Sequence, residues 1–350
     1  MNYSTDNTRI IDKVDLVTPH DVISKYPLTD GISKLVYGTR NEVSQILHGK
    51  DDRLIAVVGP CSIHDPDSAE EYAKLLIDEK KRYEEDILLI MRVYFEKPRT
   101  SIGWKGLIND PDMDNTFDAN KGLFLARSIL HKISKLGLPV GTEFLDPISP
   151  QFVADLVSWG AIGARTAESQ IHRELASGLS CPIGFKNGTT GDLNPAIYGV
   201  KASNHSHVFF SNTKEGMVSI YKTSGNSDTH IILRGGTKPN LYPDDIRETI
   251  NALNEAEAND SIMIDVSHGN SQKVFKRQLE NIGVVSKQIS DGVDEIRGVM
   301  IESHLREGNQ KIGEDLEYGQ SVTDACIHFE DTKQCLSELS SAVQARRSKS

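Results

Sequence analysis

The 350-residue sequence has no run of eighteen apolar residues, and its start, MNYSTDNTRIIDKVDL, has no basic stretch leading into an apolar one. A membrane-spanning helix and a secretory leader are therefore not expected, and a cytoplasmic location is. Cysteines are few: Cys61, Cys181, Cys326 and Cys335 form no C-x-x-C pair and no regular framework, as reduced thiols would. Positive charge is also in deficit, since 50 Asp and Glu against 39 Lys and Arg leave a net charge of −11. That balance argues against nucleic acid or an anionic membrane as general partners, so any anionic ligand must be held by a local cluster of cations. There is no internal repeat and no low-complexity segment.

What is present is an ordinary globular composition, 38% hydrophobic and 25% charged, sufficient for a full core. Residues 1–50 are polar, with a helical stretch near 40–48 (RNEVSQILH), and read as an N-terminal extension serving assembly or regulation. From residue 54 short apolar runs alternate with longer segments of helical periodicity, the rhythm of a parallel sheet wound with helices. The runs are LIAVVG, DILLIMRVYF, LPVGTEF, AIGART, PIGFKN, HVFFS, HIILRGG, SIMIDVSHG and GVMIES. HVFFS is followed by a short turn and the alternating MVSIYKTSG, which predicts an antiparallel β-hairpin inserted at about 207–224. Eight strands remain, the number that closes a barrel, so the expected fold is α/β, a (β/α)8 TIM barrel over 51–350. The loop after the second strand is long, and its Trp104, Leu107 and Ile108 predict that it is packed.

The ends of the eight proposed strands carry Cys61; Arg92 and Lys97; Glu143; Arg165; Lys186; Arg234; His268; and Glu302. In a parallel barrel these ends meet at one face, where such enzymes place their sites. Arg92, Lys97, Arg165, Lys186 and Arg234 would repel one another in one cavity by several kcal/mol unless an anion of comparable charge is bound. A small ligand bearing phosphate and carboxylate fits, because guanidinium forks match both groups. Cys61, His268 and Glu302, with Asp324 nearby, form a mixed thiolate, imidazole and carboxylate set suited to Mn²⁺, Fe²⁺, Co²⁺ or Zn²⁺ rather than Mg²⁺ or Ca²⁺. Each residue alone has a plainer reading. A lone cysteine such as Cys61 is more often a small buried hydrophobe than a ligand, His268 is equally a brace for its turn, and Glu143 and Glu302 are equally structural partners of arginine. Asp324 is placed to cap a helix starting at ACIHFED. It is the coincidence of eight such strand ends that favours a site.

The segments GPCSIHDP, MRVYFEKPRTSIGWKGLINDPDMD, WGAIGARTAESQIHRELASGLSCPIGFKNGT, HIILRGG, DVSHGNSQK, IESHLREGNQ and YGQSVTDACI closely resemble the type I 3-deoxy-D-arabino-heptulosonate-7-phosphate (DAHP) synthases. The resemblance runs from about residue 5 to 347. It implies a metal-dependent barrel that condenses phosphoenolpyruvate with erythrose 4-phosphate, opening the shikimate pathway to the aromatic amino acids. It further implies metal ligands Cys61, His268, Glu302 and Asp324. Phosphoenolpyruvate would be held by Arg92, Lys97, Gly163, Ala164, Arg165, Lys186 and Arg234, and the phosphate of erythrose 4-phosphate by Arg99 and Thr100. Lys97 is the candidate to protonate the developing alkoxide. Ala167 and Thr190 depart from the commonest family wording, threonine and aspartate respectively.

The family is commonly feedback-inhibited by an aromatic amino acid. The matching positions are Phe144, Asp146, Pro150, Gln151, Leu175, Leu179, Ser180, Phe209, Ser211 and Tyr221, with the N-terminal segment of a neighbouring subunit in a homodimer or homotetramer. Phenylalanine is the expected effector and tyrosine the alternative, because Pro147 in LDPISP resembles the tyrosine-responsive type. Two other readings stay open: a metal-free aldolase using Lys186 or Lys97 as a Schiff base, and a non-catalytic sensor of aromatic amino acids.

Overall fold

Runs such as LIAVVG and ILLIMR are apolar at nearly every position, which suits strands covered on both faces rather than strands with one wet side. The computed structural model, which describes residues 3–99 and 102–349, bears this out. The strands in chain order are β1 (Leu54–Gly59), β2 (Ile87–Arg92), β3 (Val140–Glu143), β4 (Trp159–Ile162), β5 (Ile183–Lys186), β6 (Val208–Asn212), β7 (Val218–Lys222), β8 (Thr229–Leu233), β9 (Ile262–Asp265), β10 (Ile296–His304) and the two-residue β11 (Ile327–His328). Strands β1–β5 and β8–β10 pair in parallel in that order, and β1 returns to β10 with Gly59 opposite Glu302, closing an eight-stranded barrel. Strands β6 and β7 form the separate antiparallel hairpin, with Phe209 opposite Tyr221. The expected (β/α)8 barrel with an inserted hairpin is therefore the fold.

Successive residues of a strand face opposite ways, so every second residue of each barrel strand points to the barrel axis. The lower axial rows are apolar: Ile55, Val57, Leu88, Ile90, Trp159, Ala161, Ile232, Met263 and Met300 form one buried cluster. Gly184 packs closely in this layer: a Cβ there would sit 2.5 Å from Ile232 Cδ1, so the Ile232 side chain would have to move. Continuing the same rows upward brings Arg92, Gly163, Lys186, Arg234, Asp265 and Glu302 to the upper mouth. One periodicity thus builds both the core and the floor of a polar cavity.

The fourth strand starts two residues before the expected AIGART, at Trp159, and ends at Ile162. Its end is fixed by a turn in which the N–H groups of Thr166 and Ala167 both donate to the Gly163 carbonyl. The helical stretch expected at 40–48 is the last part of a longer helix, Asp30–Leu47, capped by Thr29, whose hydroxyl accepts the Ile32 N–H. A short helix, Pro19–Lys25, precedes it. Val43, Ile46 and Leu47 join the axial cluster, so this helix covers the lower end of the barrel. The long loop after β2 is packed as expected: Leu107 and Ile108 are buried, and the Trp104 indole N–H donates to the Asp110 carbonyl at 2.7 Å. Among the described residues no helix is long and apolar enough to cross a membrane.

The fully buried Ile46 belongs to the cluster at the lower barrel end. Ile46→Ala is expected to cost about 2–5 kcal/mol of unfolding free energy, read as a lower urea midpoint with an unchanged slope. A loss below about 0.5 kcal/mol would show that the helix rests on the barrel without closing it.

Candidate functional site at the barrel mouth

A cavity of about 310 Å³ opens at the carboxyl ends of the strands. Its walls include Arg92, Lys97, Arg99, Arg165, Lys186, Arg234 and Lys273, against the carboxylates Glu143, Glu302 and Asp324. Gly163 and Ala164 also line it, so every expected phosphoenolpyruvate residue faces this space. Thr100 lies outside the described residues. The excess of cations in an acidic protein makes the mouth a local trap for an anion.

Arg92 has no exposed surface. Its guanidinium donates to the carbonyls of Pro60 at 3.0 Å and Cys61 at 3.2 Å and to Glu302 Oε1 at 2.9 Å, and it lies 3.6 Å from the Tyr94 ring centroid. Lys97 donates to the Cys61 carbonyl at 3.2 Å and reaches Cys61 Sγ at 3.1 Å. Lys186 sits 3.4 Å from Asp265 Oδ2 and 3.7 Å from Glu143 Oε2. Gly163 leaves room for the Glu143 carboxylate, since a Cβ there would lie 2.6 Å from Glu143 Oε1 and push that side chain aside. Arg99, at the rim, donates to the Trp104 carbonyl at 2.7 Å.

Ligand atoms of Cys61, Glu302 and Asp324 lie within 4.8 Å of one another. His268 Nε2 is 3.5 Å from Glu302 Oε1 and 4.0 Å from Asp324 Oδ2, on the same side. The four residues fit a borderline divalent ion: a thiolate, an imidazole and two carboxylates converge, and their distances leave room for an ion between them. Burial pushes the Cys61 thiol up, Glu302 reinforces this, and Lys97 acts against it, so an added cation is what favours the thiolate. The alternative in which Asp324 caps a helix does not hold. That helix begins at Phe329 with His328 as its cap, because Ile327 and His328 first pair with β10.

His268 has φ 49°, a strained conformation for a non-glycine residue and one that clusters at functional sites. Its Nδ1 lies 2.8 Å from Asp265 Oδ2 and 2.7 Å from Ser267 Oγ, which orients Nε2 toward Glu302 and Asp324. Burial opposes ionisation of Asp265, but His268, Lys186 and Arg92 outweigh it and hold the carboxyl well below the usual range. Sequence reasoning missed Asp265, although a carboxylate two residues after Met263, in an otherwise apolar strand, was the signal. It also missed Lys273 on the rim. Of the two departures from family wording, Ala167 is buried beneath the mouth and Thr190 is exposed, meeting Thr237 through its carbonyl, so neither side chain lines the cavity.

A second cavity, of about 640 Å³, lies away from the mouth. It collects Pro150, Gln151, Leu175, Leu179, Ser180, Phe209, Ser211 and Tyr221, eight of the ten positions matched to a feedback site. Phe144 and Asp146 do not line it: Phe144 is buried against Gly160, and Asp146 sits in the turn before Ser149. Tyr37 and Arg40, from the chain's own helix Asp30–Leu47, complete a wall.

The DAHP synthetase I family model matches residues 30–337. The Phe-sensitive phospho-2-dehydro-3-deoxyheptonate aldolase of Escherichia coli K12 is 52% identical over 349 residues, covering 99% of this chain and 100% of the relative. The Trp-sensitive aldolase of Shigella flexneri is 49% identical over 344 residues, covering 98% and 99%. The structure of phospho-2-dehydro-3-deoxyheptonate aldolase from Francisella tularensis SCHU S4 superposes with a TM-score of 0.95 at 51% identity, covering 97% of this chain and 99% of that one. With the family model matched over residues 30–337 and its barrel and nearly its full length in common with these relatives, the chain belongs to the DAHP synthetase I family.

Proposed function

We propose that the barrel mouth condenses phosphoenolpyruvate with erythrose 4-phosphate and water to give DAHP and inorganic phosphate, the first step of the shikimate pathway. The observation that carries this reading is the meeting, at one cavity, of His268, Glu302 and Asp324 on its wall, and the buried Cys61 beside them, with a wall of cations. Arg165, Lys186 and Arg234 bind the phosphate of phosphoenolpyruvate with the backbone at Gly163 and Ala164, and Arg92 and Lys97 face its carboxylate end. Arg99 and Thr100 take the phosphate of erythrose 4-phosphate. A bound Mn²⁺, Fe²⁺, Co²⁺ or Zn²⁺ supplies Lewis-acid polarisation of the aldehyde carbonyl. Carbon 3 of phosphoenolpyruvate forms the new bond to the aldehyde carbon, and Lys97 gives its proton to the oxygen that becomes an alkoxide. Water then adds at carbon 2 and the phosphate leaves.

The second cavity binds an aromatic amino acid, with phenylalanine the effector. The Phe-sensitive E. coli relative supports phenylalanine, while the Trp-sensitive relatives make tryptophan, alongside tyrosine, the competing choice. Residues 1–50 serve assembly and regulation, and residues 51–350 form the catalytic barrel. The protein works in the cytoplasm as a homodimer or homotetramer. The four cysteines are free, and the hairpin exposes Val208, Phe210, Val218 and Ile220 on one face, an apolar strip that a second copy would cover.

Phosphate release from the two substrates is expected to vanish with a chelator and return with a divalent metal. Activity surviving chelation, with borohydride trapping of Lys186 or Lys97, would favour the Schiff-base reading, and no release with any metal would sink the assignment. Asp265→Asn, which removes the charge behind His268, is expected to weaken metal binding about 10–100-fold, measured by competition with a chromogenic chelator; unchanged affinity would deny Asp265 that supporting role. Among the three aromatic amino acids phenylalanine is expected to inhibit, and Phe209→Ala to raise its inhibition constant about tenfold through loss of the contact between the half-buried Phe209 ring and the effector. Inhibition by tyrosine or tryptophan alone would overturn the choice of effector.

A further inference from the structure

The loops that follow β5, β8 and β9 each carry one asparagine whose side chain bonds to a neighbouring loop or strand end. Asn187 has no exposed surface, and Asn270 is 2% exposed. Asn187 Oδ1 accepts the backbone N–H of Arg234 at 2.8 Å and the Asn240 amide at 3.2 Å. Its own amide donates to the carbonyls of Gly188 at 2.9 Å and Gly235 at 3.1 Å. Asn240 Oδ1 accepts the Gly235 N–H at 2.7 Å, and the Asn240 N–H donates to Asn270 Oδ1 at 2.8 Å. Asn270 then donates to the carbonyls of Leu233 at 3.1 Å and Asp265 at 2.8 Å. The Arg234 carbonyl accepts from the N–H groups of Gly269 and Asn270, so its peptide units are held from both sides.

Only a side chain with two donors and a two-lone-pair acceptor satisfies the position of Asn187. Aspartate has the same shape but no donor, and its charge would lie beside Lys186 and Arg234, where it competes with a bound anion. A serine is too short to bridge the loops. The chain of amides is therefore a neutral tie between the residues that carry Lys186, Arg234 and the His268 loop.

We propose that Asn187, Asn240 and Asn270 are positioning residues that fix the spacing of Lys186 and Arg234, so that the two cations meet the phosphate of phosphoenolpyruvate together. This rests on the function assigned to the mouth. None of the three amides touches the reacting atoms. Their effect is read in ground-state binding of the anionic substrate.

The test compares Asn187→Asp and Asn240→Ala with Asn226→Asp in the metal-saturated protein. Asn226 holds the carbonyls of Ala176 and Cys181 with its amide but does not line the mouth, so it reports structural loss alone. For the two network variants KM for phosphoenolpyruvate is expected to rise about tenfold with kcat and KM for erythrose 4-phosphate within about twofold. Asn226→Asp is expected to lower the melting temperature without that split. Equal KM values for phosphoenolpyruvate in all variants, or a joint rise for both substrates, would overturn the proposal. Should Asn187→Asp fail to fold, Asn240→Ala, which removes a single side chain's two bonds, decides alone. A wild-type protein that releases no phosphate sinks the functional reading instead. The amide tie is then judged by calorimetry with inorganic phosphate, whose affinity is expected to fall about tenfold in Asn240→Ala and whose unchanged affinity rejects the proposal.

Discussion

Arg92 and Glu302 are in contact at 2.9 Å with essentially no exposed surface, and the upper barrel is organised around them. A charge taken out of water costs several kcal/mol unless its partner and its remaining hydrogen bonds are in place. Arg92 meets that condition by binding two carbonyls of the β1 exit as well as the carboxylate on β10. The same bonds therefore hold Cys61 and Glu302 near each other, although β2 supplies neither. The cation read from the sequence as a substrate contact is also the brace between Cys61 and Glu302.

That brace depends on barrel closure. With Gly59 opposite Glu302 and Met300 opposite Asp265, a slip of one residue would turn the upper row of polar side chains outward into the helices. The apolar rows below resist such a slip, because the same shift would move Val57, Ile90 and Met300 off the axis. Core packing and site geometry are thus consequences of one register. Mutations that loosen the lower barrel are expected to act on the mouth through that register rather than through any direct contact.

The eight strands and most of their polar ends were legible because each strand is a continuous apolar run ended by a residue that does not belong in a core. Asp265 was overlooked for the opposite reason: it is charged within the run, and its partners His268 and Lys186 come from two different strand ends. The first half of the helix Asp30–Leu47 was hidden by its residues, since Gly31, Ser33, Gly38 and Thr39 are weak helix formers. Packing of Val36, Val43 and Ile46 against the rest of the chain overrides that weakness. The amide tie left no local signature, because Asn187, Asn240 and Asn270 each look like an ordinary turn residue until their partners some 30 to 50 positions away are known.

The two cavities share the chain segment that leaves β2. Lys97 faces the mouth, whereas its neighbour Glu96 is buried and turns the other way. Glu96 accepts the Ser149 hydroxyl at 2.9 Å and the Asp146 N–H at 3.2 Å, in the turn that leads directly to Pro150 and Gln151 on the wall of the second cavity. Burial pushes the Glu96 carboxyl up to about 8, with the Ser149 hydrogen bond opposing and the Asp146 charge adding to the shift, which favours the neutral form near pH 7. A neutral carboxyl ties the turn to the strand exit without placing a counter-charge beside Lys97. The Lys97 ammonium is thereby left to Cys61, while the strand exit is tied through the Glu96 side chain to the turn before Pro150.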